Sequence, residues 1–150
     1  NNMSFLKNIS NAIASIGNNK TKNNLDTEST EENNIEELEG EKIGASKDGQ
    51  LNVGIQELSG YLFLETFILS NVIIKTFNGA KLTFIGGKDE FIVVSDTQEI
   101  KSDLAGNSFK YITQISFDIT EEGVERIKNG GFSKIQLDFK RKSLLFNKTI

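Results

Sequence analysis

Five carboxylates, Asp89, Glu90, Asp96, Glu99 and Asp103, fall within one strand-sized stretch and the loop that follows it. Carboxylate oxygens converging from several residues hold a hard cation such as calcium. Their spacing matches no calcium loop, and acidic residues at strand ends are commonly there because those ends are wet. The glycine pairs Gly86-Gly87, followed by Lys88, and Gly130-Gly131 are the next candidates. A phosphate cradle needs spaced glycines between a strand and the helix it feeds. The first pair lies between two expected strands and the second follows an expected helix, so both read as turns. Histidine and cysteine are absent, which removes the usual general base near neutral pH, thiol chemistry, disulfides and the commonest transition-metal ligands. Serine, lysine and tyrosine remain as nucleophiles, and a carboxylate pair can run acid–base chemistry. Yet no serine occupies a nucleophile elbow. Tyr61 and Tyr111 fall on expected buried strand faces, where a tyrosine is normally core with its hydroxyl satisfied. The expectation is a non-enzymatic protein with no cofactor and no metal site.

The elements that would position any such group are best read from residues 109–139. In FKYITQISFDI, Phe109, Tyr111, Thr113, Ile115, Phe117 and Ile119 take every second position. That period of two means a strand with one buried and one wet face. At Thr120 the pattern changes. A threonine before Glu121 and Glu122 is a helix start, with the acids where the helix dipole favours them. Ile119 and Val124 have the spacing of a hydrophobic staple, and Val124 and Ile127 share one helical face. Asn129-Gly130-Gly131 stops the helix. Residues 132–140 then return as a strand with Ile135, Leu137 and Phe139 on one face.

At 150 residues the chain suits one domain with appendages. Hydrophobic residues make up 37%, below the roughly 45–50% of globular proteins, and they concentrate from Leu58 onward. Net charge is −4, a poor footing for nucleic-acid binding through phosphate neutralisation. No apolar run approaches the ~20 residues of a membrane span, and the sequence opens with no charged-then-apolar leader pattern. A cytoplasmic location is expected.

Residues 1–17 form an expected amphipathic helix. Phe5, Leu6, Ile9, Ala12, Ile13 and Ile16 follow the i, i+3, i+4, i+7 pattern of one face, between Ser4 as N-cap and Gly17 as stop. A helix this short is marginal alone in water. Three covers present themselves: its own domain, the groove of a partner protein, and, less favoured because basic residues are few, a membrane surface. Residues 18–50 read as a polar, acidic linker with almost nothing to bury, in which Ile35, Leu38 and Ile43 make at most an amphipathic turn or two.

Residues 51–150 read as the β domain. Lys47-Asp48-Gly49-Gln50 is a turn signal before a short strand with Leu51, Val53 and Ile55 alternating. YLFLETFIL, apolar on both faces but for Glu65 and Thr66, is a central strand. Residues 69–77 continue as a strand, Asn78-Gly79 signals a hairpin, and residues 81–85 answer it. Residues 90–95 form another strand, residues 96–108 an irregular polar stretch, and residues 143–147 a last strand. Short turns imply antiparallel neighbours. The expected class is α+β: a strongly curved, mainly antiparallel sheet or small open barrel of six or seven strands. One short helix precedes the last two strands, and the N-terminal helix is tethered outside.

Two functions fit. In the first, an adaptor docks on a partner protein, or on itself, through Phe5, Leu6, Ile9, Ile13 and Ile16. In the second, the sheet encloses a small hydrophobic ligand among Phe63, Phe84, Ile115 and Phe117, with the helix as lid. A filled interior with the helix of residues 4–16 lying away from its own domain favours the adaptor, and a pocket of several hundred cubic ångströms the ligand binder.

Overall fold

Alternation of apolar and polar residues governs most of the chain described by the structure, a computed structural model covering residues 38–106 and 109–149. The expected helix of residues 4–16, with Phe5, Leu6, Ile9, Ile13 and Ile16, lies outside the described residues. In chain order the strands are β1 (Glu41–Ser46), β2 (Gly49–Leu58), β3 (Tyr61–Ser70), β4 (Lys75–Thr76), β5 (Ala80–Ile85), β6 (Phe91–Val94), β7 (Ile100–Lys101), β8 (Asp103–Leu104) and β9 (Tyr111–Asp118). Helix α1 (Glu121–Lys128) then precedes β10 (Lys134–Phe139) and β11 (Lys142–Lys148).

Nine strands form one antiparallel sheet in the order β6-β5-β10-β11-β1-β2-β3-β9-β8, and β4 pairs β7 separately. The main sheet thus holds more strands than the six or seven expected. It curls so strongly that β6 returns to β9, where Ser95 bridges Phe117 and the Asp96 amide donates to the Ser116 carbonyl at 2.8 Å. The result is a half-barrel drawn almost shut along one seam.

Each strand turns its apolar positions inward. Leu51, Val53 and Ile55 of β2, Leu64 and Ile68 of β3, and Ile115 and Phe117 of β9 meet Leu82, Phe84, Ile135, Leu137 and Phe146 in one core cluster. Burying each such side chain contributes about 1.5–3 kcal/mol. The two ends are closed differently. At one end, where Ser70 faces Tyr111 and Phe139 faces Lys142, the β4–β7 pair inserts Ile74 and Ile100 into the core. At the other, α1 lays down Val124 and Ile127. Helix α1 is capped as expected: the Thr120 hydroxyl accepts from the Gly123 amide at 3.0 Å, and Gly130 takes the left-handed φ of 69° after Asn129.

Four local expectations need correction. The β-sheet takes in most of residues 41–50, which the sequence assigns to the linker, as β1 and the start of β2. Ile43 there is a buried core residue of β1, and Leu38 packs with Phe67, Leu69 and Ala105 on the outer wall. Hydrogen bonds from the Asn52 amide to the carbonyls of Leu38 and Gly40 fix that segment. The Asn78-Gly79 turn does not join a hairpin, because β4 pairs β7 while β5 pairs β6 and β10. Residues 96–108, expected to be irregular, contribute both β7 and β8. Finally, the strand expected from Phe109 begins at Tyr111, and Phe109 is 94% exposed.

Candidate functional site

Residues expected to gather around a cation are separated by the fold. Asp89 and Glu90 lie in the β5–β6 turn beside α1, whereas Asp96, Glu99 and Asp103 lie toward the plugged end, near the seam. Among the described residues, no three acidic side chains form a group able to hold a metal ion. The two glycine pairs, by contrast, are brought together. Ser133 donates from its amide to the Ile85 carbonyl at 2.7 Å, and a Cβ placed on Gly87 would lie 1.8 Å from the Gly131 carbonyl oxygen. The pairs therefore allow two backbones to touch. Arg126 donates to the Asp89 carbonyl and Lys148 to the Gly130 carbonyl at 2.9 Å, so nearby cations tie these loops to the body.

The buried hydroxyls act as latches. Ser102 Oγ lies 2.6 Å from Thr113 Oγ1 and accepts from the Ile74 amide at 2.7 Å, fixing the plug to β9. Ser95 Oγ accepts from the Ala80 amide at 2.9 Å and donates to the Thr97 carbonyl at 2.7 Å. A hydroxyl without an adjacent base is a weak nucleophile, and these are committed to backbone. Tyr61, expected on a buried face, is 71% exposed at the β2–β3 turn, and Tyr111 is half-buried.

Phe84, Ile115 and Phe117 are essentially inaccessible and belong to the same packed cluster. Phe84 stacks on Phe91 at 4.5 Å and meets Phe132 edge-on at 5.1 Å. Phe63 does not join them. Its neighbour Leu64 points inward, so Phe63 points away from the core, as the pleat requires.

What remains as a working surface is the plugged end of the barrel. Val72, Ile73, Phe77, Leu104 and Phe109 are exposed there on separate short segments. Lys75 and Lys101 face each other across the β4–β7 ladder, and the β10–β11 turn presents Lys140, Arg141 and Lys142. From the sequence, Lys140-Arg141-Lys142 reads only as a turn. The fold alone puts it on the same rim as Lys75, Lys101 and the exposed apolar residues.

No family model matches the chain, and neither the curated proteins nor the solved structures include a significant match. No helix among the described residues is long and apolar enough to cross a membrane.

Proposed function

We propose that this is a non-enzymatic interaction protein: a rigid half-barrel that works through its outer surfaces, with the N-terminal segment as a docking element for a partner protein or a second copy of the chain. The observation that carries the reading is the filled interior, where Phe84, Ile115 and Phe117 occupy the space that a hydrophobic ligand would need. The buried serines already spend their hydrogen bonds on holding the fold, and without histidine or cysteine the chain lacks the commonest means of activating a nucleophile. On this reading Phe5, Leu6, Ile9, Ile13 and Ile16 form the contact stripe of an amphipathic helix laid into an apolar groove.

The test is the paired substitution Ile9→Asp and Ile13→Asp in the full chain. Self-association by sedimentation velocity, or capture of the partner by chemical crosslinking, should be lost while the urea midpoint stays unchanged. If the variant associates as the wild type does, the docking role is wrong. If it loses several kcal/mol of stability instead, the stripe belongs to the protein's own core.

A further inference from the structure

We propose that the plugged end of the barrel is a docking face for an anionic lipid bilayer. The first support is the kind of apolar exposure found there. Phe109 is 94% and Phe77 61% exposed, and Val72, Ile73 and Leu104 also stand in water. They project from different segments: Val72 and Ile73 from the one leading into β4, Phe77 from the one leading into β5, Leu104 from β8 and Phe109 from the approach to β9. A protein groove wants a continuous apolar strip; separate protruding side chains suit a fluid surface that yields to each of them.

The second support is charge. Lys75 and Lys101 are exposed and directly opposite in an antiparallel ladder, a like-charge pair that costs stability unless an anion lies near both. Phe77 sits under the Lys75 ammonium at 6.0 Å, so an apolar wedge and a cation share one spot. Lys140, Arg141 and Lys142 add three consecutive exposed cations at the β10–β11 turn. Acidic residues lie at this end too: Glu99 and Asp103 flank the β4–β7 ladder, Asp96 lies at the seam, and Asp138, bonded by Ser143, precedes the β10–β11 turn. The opposite end of the barrel carries Glu121 and Glu122 at the start of α1 and Asp89 and Glu90 in the adjoining turn, together with Lys88, Arg126 and Lys128. Both ends of the molecule carry charges of both signs, and the plugged end is set apart by cations lying close to protruding apolar side chains. Basic residues set among exposed apolar side chains are the sequence-readable mark of binding to anionic headgroups.

The geometry needs no pocket. Apolar side chains enter the headgroup boundary while the long lysine stems reach outward to phosphate and carboxylate groups. This inference is independent of the N-terminal docking reading, and different variants test the two.

The experiment is co-sedimentation of the full chain with phosphatidylcholine vesicles, with and without phosphatidylserine, at physiological salt. Binding is expected only with phosphatidylserine and should weaken as salt rises. Replacing Lys140, Arg141 and Lys142 together by Gln should lower the affinity by roughly fivefold per charge removed. Replacing Phe77 and Phe109 by Ser should also lower it, with the urea midpoint unchanged because both rings are exposed. The paired Ile9→Asp and Ile13→Asp variant should still bind. The proposal is overturned if the wild type ignores phosphatidylserine vesicles, if it binds uncharged vesicles equally well, or if both rim variants bind as tightly as the wild type. Vesicle binding lost only in the Ile9→Asp, Ile13→Asp variant would likewise overturn it and move membrane contact to the N-terminal segment.

Discussion

Glu65 is only 6% exposed, although it points away from the barrel core. Its carboxylate is held by the Ser116 hydroxyl, 2.7 and 2.8 Å from its two oxygens, and more distantly by the Gln114 amide at 3.4 Å. A buried acceptor that loses its donor bears its full desolvation cost, about 1–3 kcal/mol and more for a charged group. Ser116→Ala is therefore expected to destabilise by at least about 1 kcal/mol. The neighbouring positions should rank around it. Ile115→Ala or Phe117→Ala empties a fully buried site and should cost about 2–5 kcal/mol. Gln114→Ala removes an exposed side chain and a long bond and should stay within about 0.5 kcal/mol. Urea denaturation of the four variants checks the order, and four equal midpoints would mean that β9 faces the other way. This facing was legible because Thr113, Ile115 and Phe117 alternate with polar residues. The role of Ser116 was not, since it depends on Glu65, about fifty positions earlier in the chain.

At the scale of elements, the two glycine pairs and the cap of α1 make separable demands. A methyl group on Gly87 would strike the Gly131 carbonyl at 1.8 Å, backbone against backbone, with no flexible side chain to yield. A methyl group on Gly131 would meet nothing within 4 Å. Gly87→Ala is thus expected to cost more than about 2 kcal/mol, in the range of overpacked cores, whereas Gly131→Ala should be tolerated within about 0.5 kcal/mol. Thermal melts of the pair separate close approach from turn chemistry; equal losses would point to the turn alone. Thr120→Ala should cost about 1 kcal/mol through loss of the N-cap bond, read by the same melts.

Helix α1 and its flanking strands were readable because caps, staple and alternation all lie within a few residues of one another. β1 escaped because its one large buried apolar side chain, Ile43, sits among charged and small residues, and its strand character comes from pairing with β2 and β11. β4, β7 and β8 are two residues each: β4 and β7 exist through each other across a long stretch of chain, and β8 through the start of β9. At Asn78-Gly79 the local signal was real, with Gly79 at a φ of 76°, but its amide donates to Gln98. The chain turns there without pairing the strands on either side. The rim carries the same lesson. Lys75, Lys101 and Lys140 share one end only because the sheet curls.

For the whole molecule, the decisive feature is how unevenly the barrel is held together. β2 and β3 pair over ten registered positions and β3 and β9 over eight, whereas β6 meets β9 at a single bridge. Local opening follows the weakest joint, since regions with few shared hydrogen bonds and contacts open below the global unfolding free energy. The seam also borders the plug, because Ser95 there holds both Ala80 and Thr97. Opening the seam would loosen the end that carries Phe77 and Lys75 without disturbing β2, β3 or α1. In native-state hydrogen exchange, the Asp96 amide, bonded across the seam to Ser116, should exchange at least about a hundredfold faster than the amides in the middle of β3. Ser95→Ala, which removes the side-chain latch, should widen that difference while leaving β3 protection nearly unchanged. Equal protection at Asp96 and Thr66 would mean that the barrel opens only as a unit, and the seam would then be no hinge for the docking face.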